Sequence, residues 1–143
     1  MKKLIVVLLF LVSMFAMRTA LAEPVAVIVN SANAQNISMS DVKNIYMDQT
    51  VTWENGENIA VYNLPPEDVA AELFARKVLG VSARDSAAAE SNRVISNTAR
   101  NPQQFKREAL ISSIVAKSPN AIGFIPQEQT VGKTGLRVIF TLE

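Results

Sequence analysis

The chain has 143 residues, 49% of them hydrophobic and 19% charged, a formal net charge of +1, and neither cysteine nor histidine. Such a length and apolar content fit one folded domain and exclude a disordered tail. The missing thiol and imidazole exclude disulfides, soft or imidazole metal sites and the usual general base near neutral pH.

Lys2-Lys3, the apolar run from Leu4 to Met17 broken only by Ser13, and Ala20-Leu21-Ala22 have the three-part pattern of a secretory signal peptide cleaved after Ala22. The competing reading is an uncleaved membrane anchor. The run is shorter than the roughly 20 residues a span needs, and Arg18 interrupts it. Cleavage takes Lys2, Lys3 and Arg18 from the 14 basic residues, leaving 11 against 13 acidic ones, a net charge of −2. A chain without basic excess has no electrostatic case for nucleic acid. No later apolar run is long enough to span a membrane. The expectation is a 1–22 signal peptide and a soluble, exported, periplasmic domain over 23–143.

Val25-Ala26-Val27-Ile28-Val29 is continuously apolar and predicts a buried central strand. Asn30 to Asn36 is a polar loop. Ser38, with Asp41 three residues on, predicts a capped helix whose apolar stripe is Val42, Ile45 and Tyr46. Trp53-Glu54-Asn55-Gly56-Glu57 is a turn, and Trp53 is read as its half-buried anchor rather than a ligand platform. Asn58 to Asn63 alternates as a strand should. Leu64-Pro65-Pro66 stops it, Pro66 suits a first helical position, and Glu67 and Asp68 suit the positive helix end. Val69, Ala70, Leu73, Phe74 and Val78 follow at helical spacing until Gly80.

Ser82 and Asp85 predict the cap of an alanine-rich helix carrying Ala83, Ala87, Ala88 and Ala89. Asn101-Pro102-Gln103-Gln104 reads as cap and first turn of another, with Phe105, Ala109, Leu110, Ile114 and Val115 as its stripe. Ser118-Pro119-Asn120 ends it. Ala121 to Ile125, closed by Pro126, and Leu136 to Leu142 are strands joined by a polar loop. Strands alternating with helices predict an α/β fold, a sheet covered by helices.

No GxSxG, P-loop or GxGxxG pattern occurs. The close acidic pairs, Glu54 with Glu57 and Glu67 with Asp68, sit on a turn and a helix start that explain them structurally. Nothing assembles a catalytic site, so the chain reads as a non-enzyme without cofactor or metal. The candidate ligand-binding residues are polar groups at or near strand ends and loops, namely Asn30, Ser31, Asn63, Arg93 and Arg100. For the two arginines, anion binding competes with a plain solvated or ion-paired surface.

The run Ile37 to Tyr46, then Trp53, Gly56, Ile59-Ala60-Val61, Phe74 and Val78-Leu79-Gly80 resembles the periplasmic phosphate-binding proteins of ABC transporters. Ser118-Pro119-Asn120-Ala121-Ile122-Gly123-Phe124 is similar to that family's Pro-Gly-Ala-Ile-Gly-Tyr segment. The resemblance covers the mature chain. It implies one lobe of a type II periplasmic-binding-protein-like fold, a mixed sheet flanked by helices, where full members have two lobes. It also implies solute binding, with phosphate or another small oxyanion as ligand and an ABC permease or a second copy completing the cleft. The family's phosphate loop is not matched. Its Ser-Gly-Thr falls on Asp68-Val69-Ala70, and its preceding arginine falls near Asn63 or Leu64. The alternative is therefore an envelope protein-interaction or assembly domain that has lost the ligand site.

Overall fold

The computed structural model describes residues 23–143. The segment on which the signal-peptide reading rests lies outside the described residues. The elements are β1 (Val25–Asn30), α1 (Met39–Tyr46), β2 (Ala60–Asn63), α2 (Val69–Phe74) running into a π-helical turn (Ala75–Leu79), α3 (Ala83–Ile95), β3 (Gln104–Phe105), α4 (Glu108–Lys117), β4 (Ala121–Pro126), a 3-10 turn (Gln127–Thr130) and β5 (Leu136–Leu142).

The five strands form one mixed sheet in the order β3-β2-β4-β1-β5. β1 is antiparallel to both β4 and β5, and β2 is parallel to β3 and β4. The apolar runs at β1 and β4 occupy inner positions and are buried throughout, as strands covered on both faces must be. Gly123 and Phe124 show the two layers. A side chain on Gly123 would meet Ile111 and Val115 of α4. Phe124, pointing the other way, stacks on Phe74 of α2 and meets Tyr46 of α1. Helices therefore cover both faces, giving one small α/β lobe.

Local chemistry sets several boundaries as the residues predict. Ser38 Oγ accepts from the Asp41 N–H while the Asp41 carboxylate accepts from the Ser38 N–H, a complete capping box. Ser82 caps α3 through the Asp85 N–H. Val42, Ile45 and Tyr46 are the buried face of α1. Gly80 ends the helical run in the left-handed region at φ 74°.

Other expectations are corrected. The helix after β2 starts at Val69 and not at Pro66; Asp68 is the N-cap, because its N–H is already engaged by the Pro65 carbonyl in a turn. Asn101 caps nothing. Its side chain donates to the Ile59 carbonyl, and Gln104–Phe105 forms β3 beside β2. Phe105 is thus half exposed on an edge strand rather than on a helix stripe. On α4 the buried residues are Ile111, Ser112 and Val115, while Leu110 is exposed. Trp53 is buried rather than half-buried, its Nε1–H donating to the Asn120 carbonyl at 2.9 Å.

Candidate functional site

Because β2 and β4 run in parallel, Asn63, Pro126 and the start of β1 share one end of the sheet. At that end lies a cleft of about 410 Å3 lined by Pro65, Asp68, Arg107, Glu108, Ala109 and Gln129. It sits where β2 hands over to α2, the place where α/β sheets commonly hold a ligand.

Three elements build it. Asp68 is fixed by its role as N-cap: its Oδ1 accepts from the Ala70 N–H at 2.9 Å. The start of α2 is thereby occupied by an anion that belongs to the chain itself. Glu108 comes from the first turn of α4 and lies within hydrogen-bonding reach of Asp68. Gln129, on the 3-10 turn after β4, donates from Nε2 to Glu108 Oε2. Burial, and then the Asp68 carboxylate beside it, push the Glu108 carboxyl above the ordinary glutamate range; the Glu23 charge adds to this and Gln129 works against it. Two carboxyl groups at close range share the cleft, with Arg107 as the basic residue in its lining.

The structure brings together two of the five sequence-predicted ligand residues. Asn63 donates from Nδ2 to Gln103 Oε1 at 2.8 Å. The Gln103 N–H donates to Glu90 Oε1 at 2.8 Å, and Glu90 Oε2 accepts from Arg93 Nη2 at 2.7 Å. Asn63 and Arg93 thus end one chain of hydrogen bonds. Arg93 Nε is buried without a partner among the described residues. Arg100 anchors the adjoining loop: its N–H donates to the Asp48 carboxylate at 2.6 Å and its Nη1 to the Gln49 carbonyl at 3.0 Å. Asn30 and Ser31 lie at the other end of the sheet. Asn30 Nδ2 donates to the Val115 carbonyl at 2.8 Å, its Oδ1 accepts from the Ala32 N–H, and the Ser31 N–H donates to the Gly135 carbonyl.

Sequence reasoning missed Glu108, Arg107 and Gln129. Glu108 is 40 positions from Asp68, and no local pattern joins them; only the β2–β4 pairing does. Among the described residues no group of three or more His, Cys, Asp or Glu side chains is placed to hold a metal ion. No helix among them is long and apolar enough to cross a membrane.

No protein-family model matches the sequence, and no curated protein matches it. Solved structures do match in fold. A Clostridium perfringens substrate-binding protein assigned to a phosphate ABC transporter, with phosphate bound, superposes with a TM-score of 0.59 at 16% identity, over 82% of this chain and 44% of that one. An ABC-type phosphate transport receptor from Vibrio cholerae gives 0.53 at 16% identity, over 82% and 45%. A candidate phosphate-binding protein from Planctomyces limnophilus gives 0.53 at 12% identity, over 76% and 38%. The chain spans less than half the length of each. At these identities the likeness is one of fold, and the fold is a single lobe of the periplasmic-binding-protein-like type.

Proposed function

We propose that the chain is an exported, non-catalytic binding domain of the periplasm that keeps the lobe of a phosphate-binding protein but uses its cleft for a protein partner in the envelope. The observation that carries this reading is Asp68. Its carboxylate satisfies the start of α2, and Glu108 stands beside it, so the cleft presents negative charge where an oxyanion needs N–H groups, hydroxyls or a guanidinium. Two unit charges about 4 Å apart at an effective dielectric near 20 interact by roughly 4 kcal/mol. An entering phosphate is opposed on that scale, about three powers of ten in affinity.

A second reading keeps solute binding for an ABC transporter, of phosphate or another oxyanion, with a permease or second copy completing the cleft. Arg107 in the lining favours it, together with an α4 start that has no side-chain cap. Calorimetric titration of the purified protein with phosphate separates the two. The partner reading expects a dissociation constant weaker than about 1 mM; about 1 μM or tighter restores the solute-binding reading. Export is tested by the mass of the secreted form, which begins at Glu23 if cleavage follows Ala22.

A further inference from the structure

The acidic cleft does not end at Gln129. The residues on either side of it, Glu128 and Thr130, line a second groove of about 320 Å3 with Glu23, Pro24 and Val131. That groove is mainly apolar. Val131 is 79% exposed at its wall, and Val69, next in sequence to Asp68, is 72% exposed. The hollow at Val131 is thus an apolar seat beside the acidic cleft. The charges around them are one-sided. Glu23, Asp68, Glu108 and Glu128 line the two hollows against Arg107 alone.

We propose that this face docks a partner protein through a segment that carries an arginine or lysine beside a branched apolar residue. The apolar side chain lies in the groove at Val131 and the cation enters the cleft that Asp68 and Glu108 line. The inference rests on the partner reading above and names the partner's chemistry. A second copy is the wrong occupant for a two-fold contact, because a self-facing patch sets four acids against the same four. An anionic lipid surface or a nucleic acid is repelled by the same charges. A cation beside the two carboxyl groups offsets their mutual repulsion, which helps to hold the Glu108 carboxyl up in the free protein. Fixed opposite charges around an apolar centre are how partners are steered and selected.

The test is titration of the 15N-labelled purified protein with two capped tripeptides, Leu-Arg-Leu and Leu-Glu-Leu, followed by amide shifts. Saturable shifts at Asp68, Glu108, Gln129 and Val131 are expected with the arginine peptide, at affinities of about 1 mM, and at least about tenfold weaker binding of the glutamate peptide. Glu108→Gln, which removes one acid of the cleft, and Val131→Ser, which removes the apolar wall without adding charge, each weaken the arginine peptide by about threefold or more. Equal affinity for the two peptides, shifts that map away from this face, or no saturable shift overturns the proposal. Phosphate titration of the same sample keeps the two failures apart. Tight phosphate binding sinks the partner reading itself, whereas silence with phosphate and with both peptides sinks the docking inference alone.

Discussion

Truncating Phe74 to alanine tests the central packing of the lobe. The ring is 1% exposed and stacks on Phe124 with centroids 4.0 Å apart and planes within 1°. Tyr46 meets its edge at 4.7 Å and 62°. These three side chains join α1, α2 and β4, so a hole at Phe74 is walled by elements that cannot close on it without shifting the sheet. Phe→Ala at a fully buried site costs about 3–5 kcal/mol, the transfer and cavity terms together. Loss of the stacked pair, worth roughly 0.5–1.5 kcal/mol beyond area burial, places Phe74→Ala toward the upper end. The assay is urea unfolding followed by far-UV circular dichroism, with the midpoint falling and the slope unchanged. A loss under about 1 kcal/mol contradicts the packing, because surface substitutions sit in that range.

Asp48 is buried at φ 62° and its carboxylate accepts from the Arg100 and Asn101 N–H groups at 2.6 and 2.7 Å. Asp48→Ala is expected to cost about 2 kcal/mol or more in a urea melt, since hydrogen bonds to charged groups contribute roughly 1.5–3 kcal/mol, and Asp48→Asn less. Gly123→Ala sets a new Cβ 2.6 Å from Ile111 Cγ2, a stiff β-branched methyl. Overpacking of that kind costs about 1–3 kcal/mol, and a thermal melt with no loss refutes the β4–α4 contact. Glu108 gives a pH signature. Its folded pKa lies above the unfolded one, so its contribution is complete below the ordinary glutamate range and is lost as pH rises through the raised value. Glu108→Gln therefore flattens the fall in stability above that range, and an unchanged pH profile of the melting temperature contradicts the carboxyl pairing.

What the sequence made legible was local. Ser38 with Asp41 and Ser82 with Asp85 speak through bonds three residues apart, and the runs at Val25 and Ala121 speak through burial on both faces. The segment from Asn101 to Arg107 was misread for the opposite reason. Its path is held by distant groups: Asp48 takes the N–H of Arg100 and Asn101, Glu90 takes that of Gln103, and the Gln103 side chain bridges Tyr46 and Asn63. Asn101-Pro102 has the chemistry of a helix cap, but those carboxylates and the free edge of β2 outcompete it. At the cleft the acidic character of Glu67-Asp68 was readable, and the capping role of Asp68 was one turn off. Glu108 and Gln129 were not readable, because their meeting with Asp68 depends on the register of β2 against β4.

The account turns on whether the Asp68–Glu108 pair is what keeps an oxyanion out of the cleft. Phosphate calorimetry on the purified protein beside the double variant Asp68→Ser, Glu108→Gln tests this most directly. Serine retains a capping oxygen for the Ala70 N–H, and glutamine keeps the length of the side chain facing Gln129. The wild-type protein is predicted to give no binding heat below about 1 mM phosphate, and the double variant to gain affinity by about tenfold or more on the scale set by removing two nearby charges. Wild-type binding at about 1 μM or tighter, with no gain in the variant, contradicts it.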